Sequence, residues 1–184
     1  MPTPLRPPLP MREPPLNRKE LEALGFAGFV TFNDLRGGAL ADVPEAEGVY
    51  VVVRTRKQAP VFRETSRGGW FKGQDPTVAV STLERKWMAD AEVVYIGKAS
   101  VNAKGKRGLR TRLREYASYG AGKPIGHRGG RYIWQLEEDE TLVVAWCESD
   151  VDSAAGSDEI KLVSTFRQRY DGRLPFANIA SLGA

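Results

Sequence analysis

Cysteine and histidine each occur once in this chain, as Cys147 and His127. A single cysteine rules out an intrachain disulfide, and a reducing, cytoplasmic setting is the expectation. Cys147 lies in TLVVAWC and reads as a buried strand residue. There are no zinc-spaced cysteines and no Gly-Lys-Ser/Thr phosphate loop, which sets aside zinc modules and P-loop NTPases. No run approaches the roughly 20 apolar residues of a membrane span, so no membrane partner is expected. The opening MPTPLRPPLPMREPPL has no apolar core and does not read as a secretory signal.

What is present fits a globular domain. Hydrophobic residues make up 41% and charged residues 27%, enough apolar content for a core and too much for a disordered chain. The net charge of +4 is unevenly spread. Lys98, Lys104, Lys106, Arg107, Arg110, Arg112 and Arg114 occur without an intervening acid, and Lys123, Arg128 and Arg131 follow. Acids gather in 137–140 and 148–152. Such segregation suits a polyanionic partner, although a solvated loop and helix face would also account for it.

Along the chain, residues 1–16 read as a proline-rich, flexible tail containing RPPLP. Residues 17–184 read as one domain. Asn17 is placed to cap a helix over 18–24 that ends at Gly25. Residues 26–44 read as mixed loop and short elements. GVYVVVR (48–54) and EVVYIGK (92–98) read as strands. Between them come a polar loop and a helix near 77–89, opened by Pro76. Residues 108–118 predict a helix, 120–130 a glycine-rich loop, 131–137 and 141–147 strands, and 153–169 a final helix. The order suggests an α/β fold with a small, largely antiparallel sheet flanked by helices.

Two charged residues sit where apolar ones are expected. In the 108–118 helix, Leu109, Leu113 and Tyr116 share a stripe, and Arg112 lies at its border. A guanidinium there needs an anion, either a protein carboxylate or a substrate phosphate. In the last helix, Glu159 continues the face of Leu162, Val163, Phe166 and Tyr170. It is either a buried carboxylate in need of a cation or a half-exposed residue favoured by the helix dipole. Asp152 and Asp158 are candidate caps.

GVY at 48–50, YIG at 95–97, LRTRLREY at 109–116, Glu159 and Asn178 in LPFAN, in that order, resemble the GIY-YIG endonucleases. The resemblance covers about 48–54 and 92–180. It implies a divalent-metal-dependent endonuclease acting on DNA, with Tyr50, Tyr95, Arg112, Tyr116, Glu159 and Asn178 as its catalytic set. Glu159 would hold Mg²⁺ or Mn²⁺. Arg112 would neutralise developing charge. Tyr50 would be the general base, its pKa lowered by Lys98 and the metal. Tyr95 would position water, and Tyr116 would bind phosphate or support Arg112. Asn178 would orient Tyr50, the metal shell or nearby backbone.

The chain departs from the pattern in three places. Residues 54–92 intervene between the triplets, loop 99–107 looks enlarged, and Tyr116 stands where some members carry histidine. His127 has no counterpart and reads as a surface or phosphate-contacting residue. Lys98, Lys104, Lys106, Arg107, Arg110, Arg114, His127 and Arg128 are the expected nucleic-acid contacts. A non-catalytic nucleic-acid binder of the same fold is the alternative, and a monomer and a homodimer are both compatible with the sequence.

Overall fold

A computed structural model describes residues 16–103 and 107–179. Its main elements are α1 (Arg18–Ala23), β1 (Ala27–Thr31), α2 (Phe32–Gly37), β2 (Gly48–Val53) and α3 (Val80–Lys86), followed by β3 (Val93–Ala99), α4 (Leu109–Gly120), β4 (Val143–Glu148) and α5 (Ala155–Arg169). The fold is α/β, with a four-stranded sheet in the order β1-β4-β2-β3. Every pairing in it is antiparallel.

The valine run makes β2 a central strand, because it is apolar on both faces. Val49, Val51 and Val53 face one core with Phe166, Val163 and Leu21. Tyr50 and Val52 face the other, with Leu109, Leu113 and Trp134. Each fully buried valine contributes about 1.5–3 kcal/mol. Helices α1 and α5 supply the first layer; α2, α4 and a 3-10 helix at Arg131–Gln135 supply the second. Asn17 caps α1 by accepting from the Glu20 amide at 3.1 Å. Among the described residues, no helix is long and apolar enough to cross a membrane.

Several sequence expectations are corrected. Leu16, grouped with the tail, is fully buried in the α1–α5 core. Residues 27–31, within the stretch read as mixed loop and short elements, form edge strand β1 beside β4. The alternation is hidden by a bulge between Gly28 and Val30, where Gly28 and Phe29 both have positive φ. Gly28 must lack a side chain, since a Cβ would meet the Trp146 ring at 2.3 Å. Residues 131–137 do not form a strand. Tyr132, Ile133, Trp134 and Gln135 are all buried in succession, which a helical turn permits and a half-buried strand does not. Only Leu136 bridges, to Phe62. Helix α3 is shorter than 77–89, and α4 runs on to Gly120, where the Trp134 ring would lie 2.3 Å from a Cβ.

The 54–92 segment enters and leaves at one point, with the Arg54 amide donating to Glu92 O at 2.8 Å. It joins β2 and β3, the second and third strands rather than the first two. It then packs on the 3-10 helix, where the Gln135 side chain bonds both the amide and the carbonyl of Val78 at 2.9 Å.

Candidate active site

The β2–β3 ladder sets Tyr50 opposite Gly97, and Val52 opposite Tyr95. Gly97 makes room for both rings. A Cβ there would lie 2.6 Å from Tyr50 Cζ and 2.9 Å from Tyr95 Cε1. The Tyr50 and Tyr95 ring centroids are 6.0 Å apart. Tyr116, from α4, completes a trio at 6.1 Å from Tyr50 and 5.6 Å from Tyr95. Its hydroxyl donates to Gly130 O at 2.8 Å.

Arg112 stands one turn before Tyr116 on α4, with its side chain 28% exposed and Glu115 at 3.5 Å. Burial opposes its charge, but the Tyr50 and Tyr95 oxygens and Glu115 outweigh this and hold the guanidinium more firmly protonated than usual. Arg107 reaches the same carboxylate at 2.9 Å, so Glu115 spaces two cations along one edge. Arg112 thus has a protein carboxylate as partner and stays partly open to solvent.

The tyrosines do not behave as expected from Lys98. Burial pushes the Tyr50 hydroxyl above the ordinary phenol range, while the Arg112 charge and hydrogen bonding from Tyr95 and Arg112 pull the other way. Burial raises Tyr95 and Tyr116 much further. Tyr50 is thus the easiest of the three to ionise, and Arg112 is the cation responsible. Lys98 is engaged elsewhere.

Helix α5 delivers Glu159 from the other side of the sheet. Glu159 is 6% exposed, which resolves its two readings in favour of burial. Lys98 Nζ lies 3.2 Å from its Oε2, within ion-pair distance. That contact is not aligned as a hydrogen bond, and Oε2 is buried without a hydrogen-bond partner. Glu159 still lies within electrostatic range of Tyr50 and Tyr95. Asp158, nearby, accepts from the Ser153 hydroxyl at 2.5 Å.

Asn178 acts on backbone. Its Oδ1 accepts from the Ile96 amide at 3.0 Å and its Nδ2 donates to Ile96 O at 2.9 Å. With the Ala177 amide on Val94 O at 2.8 Å, it covers the outer edge of β3 on both sides of Tyr95. Of the three roles considered for Asn178, orienting nearby backbone is the one its bonds fit.

His127 is a correction. It is 1% exposed rather than at the surface. Its ring stacks on Tyr116 at 4.0 Å with an interplanar angle of 3°. Its Nε2 lies 3.4 Å from the Tyr50 hydroxyl. A glycine-rich loop has no hydrophobic period, so nothing in the sequence signals this burial.

The basic residues divide. Arg114 and Arg128 are exposed, as are Arg107 and Lys98 despite their acidic partners. Arg110 instead holds the fold together, donating to Val43 O at 2.7 Å and pairing with Glu45 at 2.8 Å. Lys104 and Lys106 lie outside the described residues.

Among the described residues, no group of three or more His, Cys, Asp or Glu side chains could hold a metal ion. A divalent ion here would therefore rest on Glu159 as its one protein carboxylate. The orphaned, buried Oε2 fits a hard cation, and Lys98 competes for the same oxygen. A wide cleft of about 420 Å³ lined by Leu24, Cys147, Glu148 and Asp158 includes none of Tyr50, Tyr95, Lys98, Arg112 and Glu159.

No family model matches the chain, and no curated protein or solved structure does either.

Proposed function

We propose that this chain is a divalent-metal-dependent endonuclease that hydrolyses phosphodiester bonds in DNA through a GIY-YIG-like site. One observation carries the reading. Tyr50, Tyr95, Arg112 and Glu159 come from four separate elements and share one electrostatic neighbourhood, in which a buried carboxylate oxygen lacks a hydrogen-bond donor. A buried anion is costly unless a cation serves it, and Lys98 at 3.2 Å does so only as an ion pair, leaving Oε2 without a hydrogen bond.

When bound at Glu159, Mg²⁺ or Mn²⁺ would supply Lewis-acid polarisation of the phosphate. The protein's own groups do the rest. Arg112, permanently charged and partly exposed, offers a fork to phosphate oxygens and neutralises the charge that builds up on them. Tyr95 lies beside Tyr50 and orients the attacking water. Tyr50, which burial keeps protonated, accepts a hydrogen bond from that water through its oxygen lone pair and aims it at phosphorus, and the water's proton leaves to solvent as the new P–O bond forms and the bond to the leaving oxygen breaks. Tyr116 stays a neutral hydrogen-bonded support, since burial holds its proton firmly. Exposed Arg107, Arg114 and Arg128 hold the phosphate backbone on either side.

The test is cleavage of labelled single- and double-stranded DNA with and without Mg²⁺ or Mn²⁺. Glu159→Gln and Arg112→Ala are each expected to reduce the rate by about 100-fold or more while DNA binding persists. Cleavage by either variant at the wild-type rate sinks the assignment. A second reading, a non-catalytic DNA binder, is favoured by Lys98 already sitting against Glu159. Metal-independent, salt-sensitive binding with no cutting by the wild type would select it.

A further inference from the structure

His127 has its proton placed by its neighbours. Its Nδ1 lies 2.8 Å from Gly129 O, a carbonyl that can only accept, so Nδ1 carries the hydrogen. Burial, with the Arg112 charge, keeps the imidazole neutral by pushing its pKa down to about 3. A neutral ring protonated at Nδ1 has a bare lone pair at Nε2. That lone pair meets the Tyr50 hydroxyl at 3.4 Å, and the hydroxyl must donate. The ring cannot turn away, because it lies flat on Tyr116, itself tied to Gly130 O. A Cβ on Gly130 would come within 2.2 Å of the Tyr116 hydroxyl, so the glycine loop closes tightly over the stack.

We propose that His127 is a positioning residue for Tyr50, accepting its hydroxyl hydrogen at Nε2 and leaving the Tyr50 oxygen lone pair facing Arg112 and the attacking water. The inference rests on the endonuclease reading given above. An unpinned phenol rotates its hydrogen into the path of the water; a pinned one presents only an acceptor. The role concerns the direction of one hydrogen, and a misdirected reacting group costs up to about 100-fold in rate.

Two variants separate this from simple packing. His127→Phe keeps a flat ring over Tyr116 and removes the acceptor. His127→Gln loses the ring and offers Oε1 near the place of Nε2. In single-turnover cleavage of labelled DNA with Mn²⁺, His127→Phe is expected to lose about 10–100-fold in the maximal rate with the half-saturating enzyme concentration unchanged. His127→Gln is expected to recover most of that loss. A purely structural histidine gives the opposite order, which overturns the proposal.

Because the chain has one histidine, ¹⁵N spectra of the labelled protein report its tautomer without assignment. Hydrogen on Nδ1, with an Nε2 signal that shifts in Tyr50→Phe, supports the pairing. Hydrogen on Nε2 overturns it even if the wild type cuts DNA. A wild type that cuts nothing removes the endonuclease reading and this catalytic role with it, while the tautomer still decides whether the hydrogen bond exists.

Discussion

His127 and Asp139 are both buried, and they respond to acid in opposite senses. Folding lowers the His127 pKa from 6.5 to about 3, chiefly through burial. Its contribution to stability is therefore present above about pH 6.5 and lost as the pH falls toward 3. Folding raises the Asp139 pKa from 3.8 to about 6, again chiefly through burial, with Arg67 at 3.1 Å opposing the rise. Its contribution is present below about pH 3.8 and lost as the pH rises through 6. Between about pH 4 and 6 the two slopes cancel, each reaching about 1.4 kcal/mol per pH unit. Relative to wild type, His127→Phe should lose stability as the pH rises through this window, and Asp139→Asn should lose it as the pH falls. Denaturant unfolding at half-unit steps of pH would check both. Equal and parallel profiles for the two variants would contradict the burial of one of them.

At the level of elements, β2, β3, α4 and α5 were legible because each is a long run with one clear period. Their ordering also brought Tyr50, Tyr95, Arg112 and Glu159 within reach of inference. Strand β1 was not legible, since the bulge at Gly28 and the positive φ at Phe29 break its alternation. Residues 131–137 misled because successive buried aromatics mimic a strand when the partner layer is unknown. His127 was hidden for a related reason: what buries it is the stack on Tyr116 and the insertion beside it, neither of which is local in sequence. The β2–β3 pair makes a sharp test. Gly97→Ala puts a methyl 2.6 Å from Tyr50 Cζ, so the rings must move. A loss of about 1–3 kcal/mol in stability is expected, together with loss of cleavage. Asn178→Ala should instead act through β3 alone, leaving the Ile96 amide and carbonyl without their partner at a cost of about 1–3 kcal/mol. Thermal unfolding of both variants beside single-turnover cleavage would show whether the two effects separate.

Across the whole molecule, the positive charge is divided between surface and scaffold. Arg114 and Arg128 are exposed, whereas Arg110 is tied to Val43 and Glu45. In salt titrations of DNA binding, Arg114→Ala and Arg128→Ala should each reduce the slope of log K against log salt by about one. Arg110→Ala should leave the slope unchanged and lower the unfolding free energy by about 1–3 kcal/mol. A change in slope for Arg110→Ala would return it to the residues proposed to contact DNA.

The strand order also has a consequence for how the chain is made. Strand β4 lies between β1 and β2 although it is the last of the four in sequence. A nascent chain on the ribosome can zip β2 to β3, but it cannot join β1 to that ribbon until residue 148 has emerged. Glu159 comes later still, and Asn178 last among the residues discussed. A chain released early would carry the arginines of α4 without the carboxylate of α5. It would be left able to hold a polyanion but without the group proposed to bind the metal.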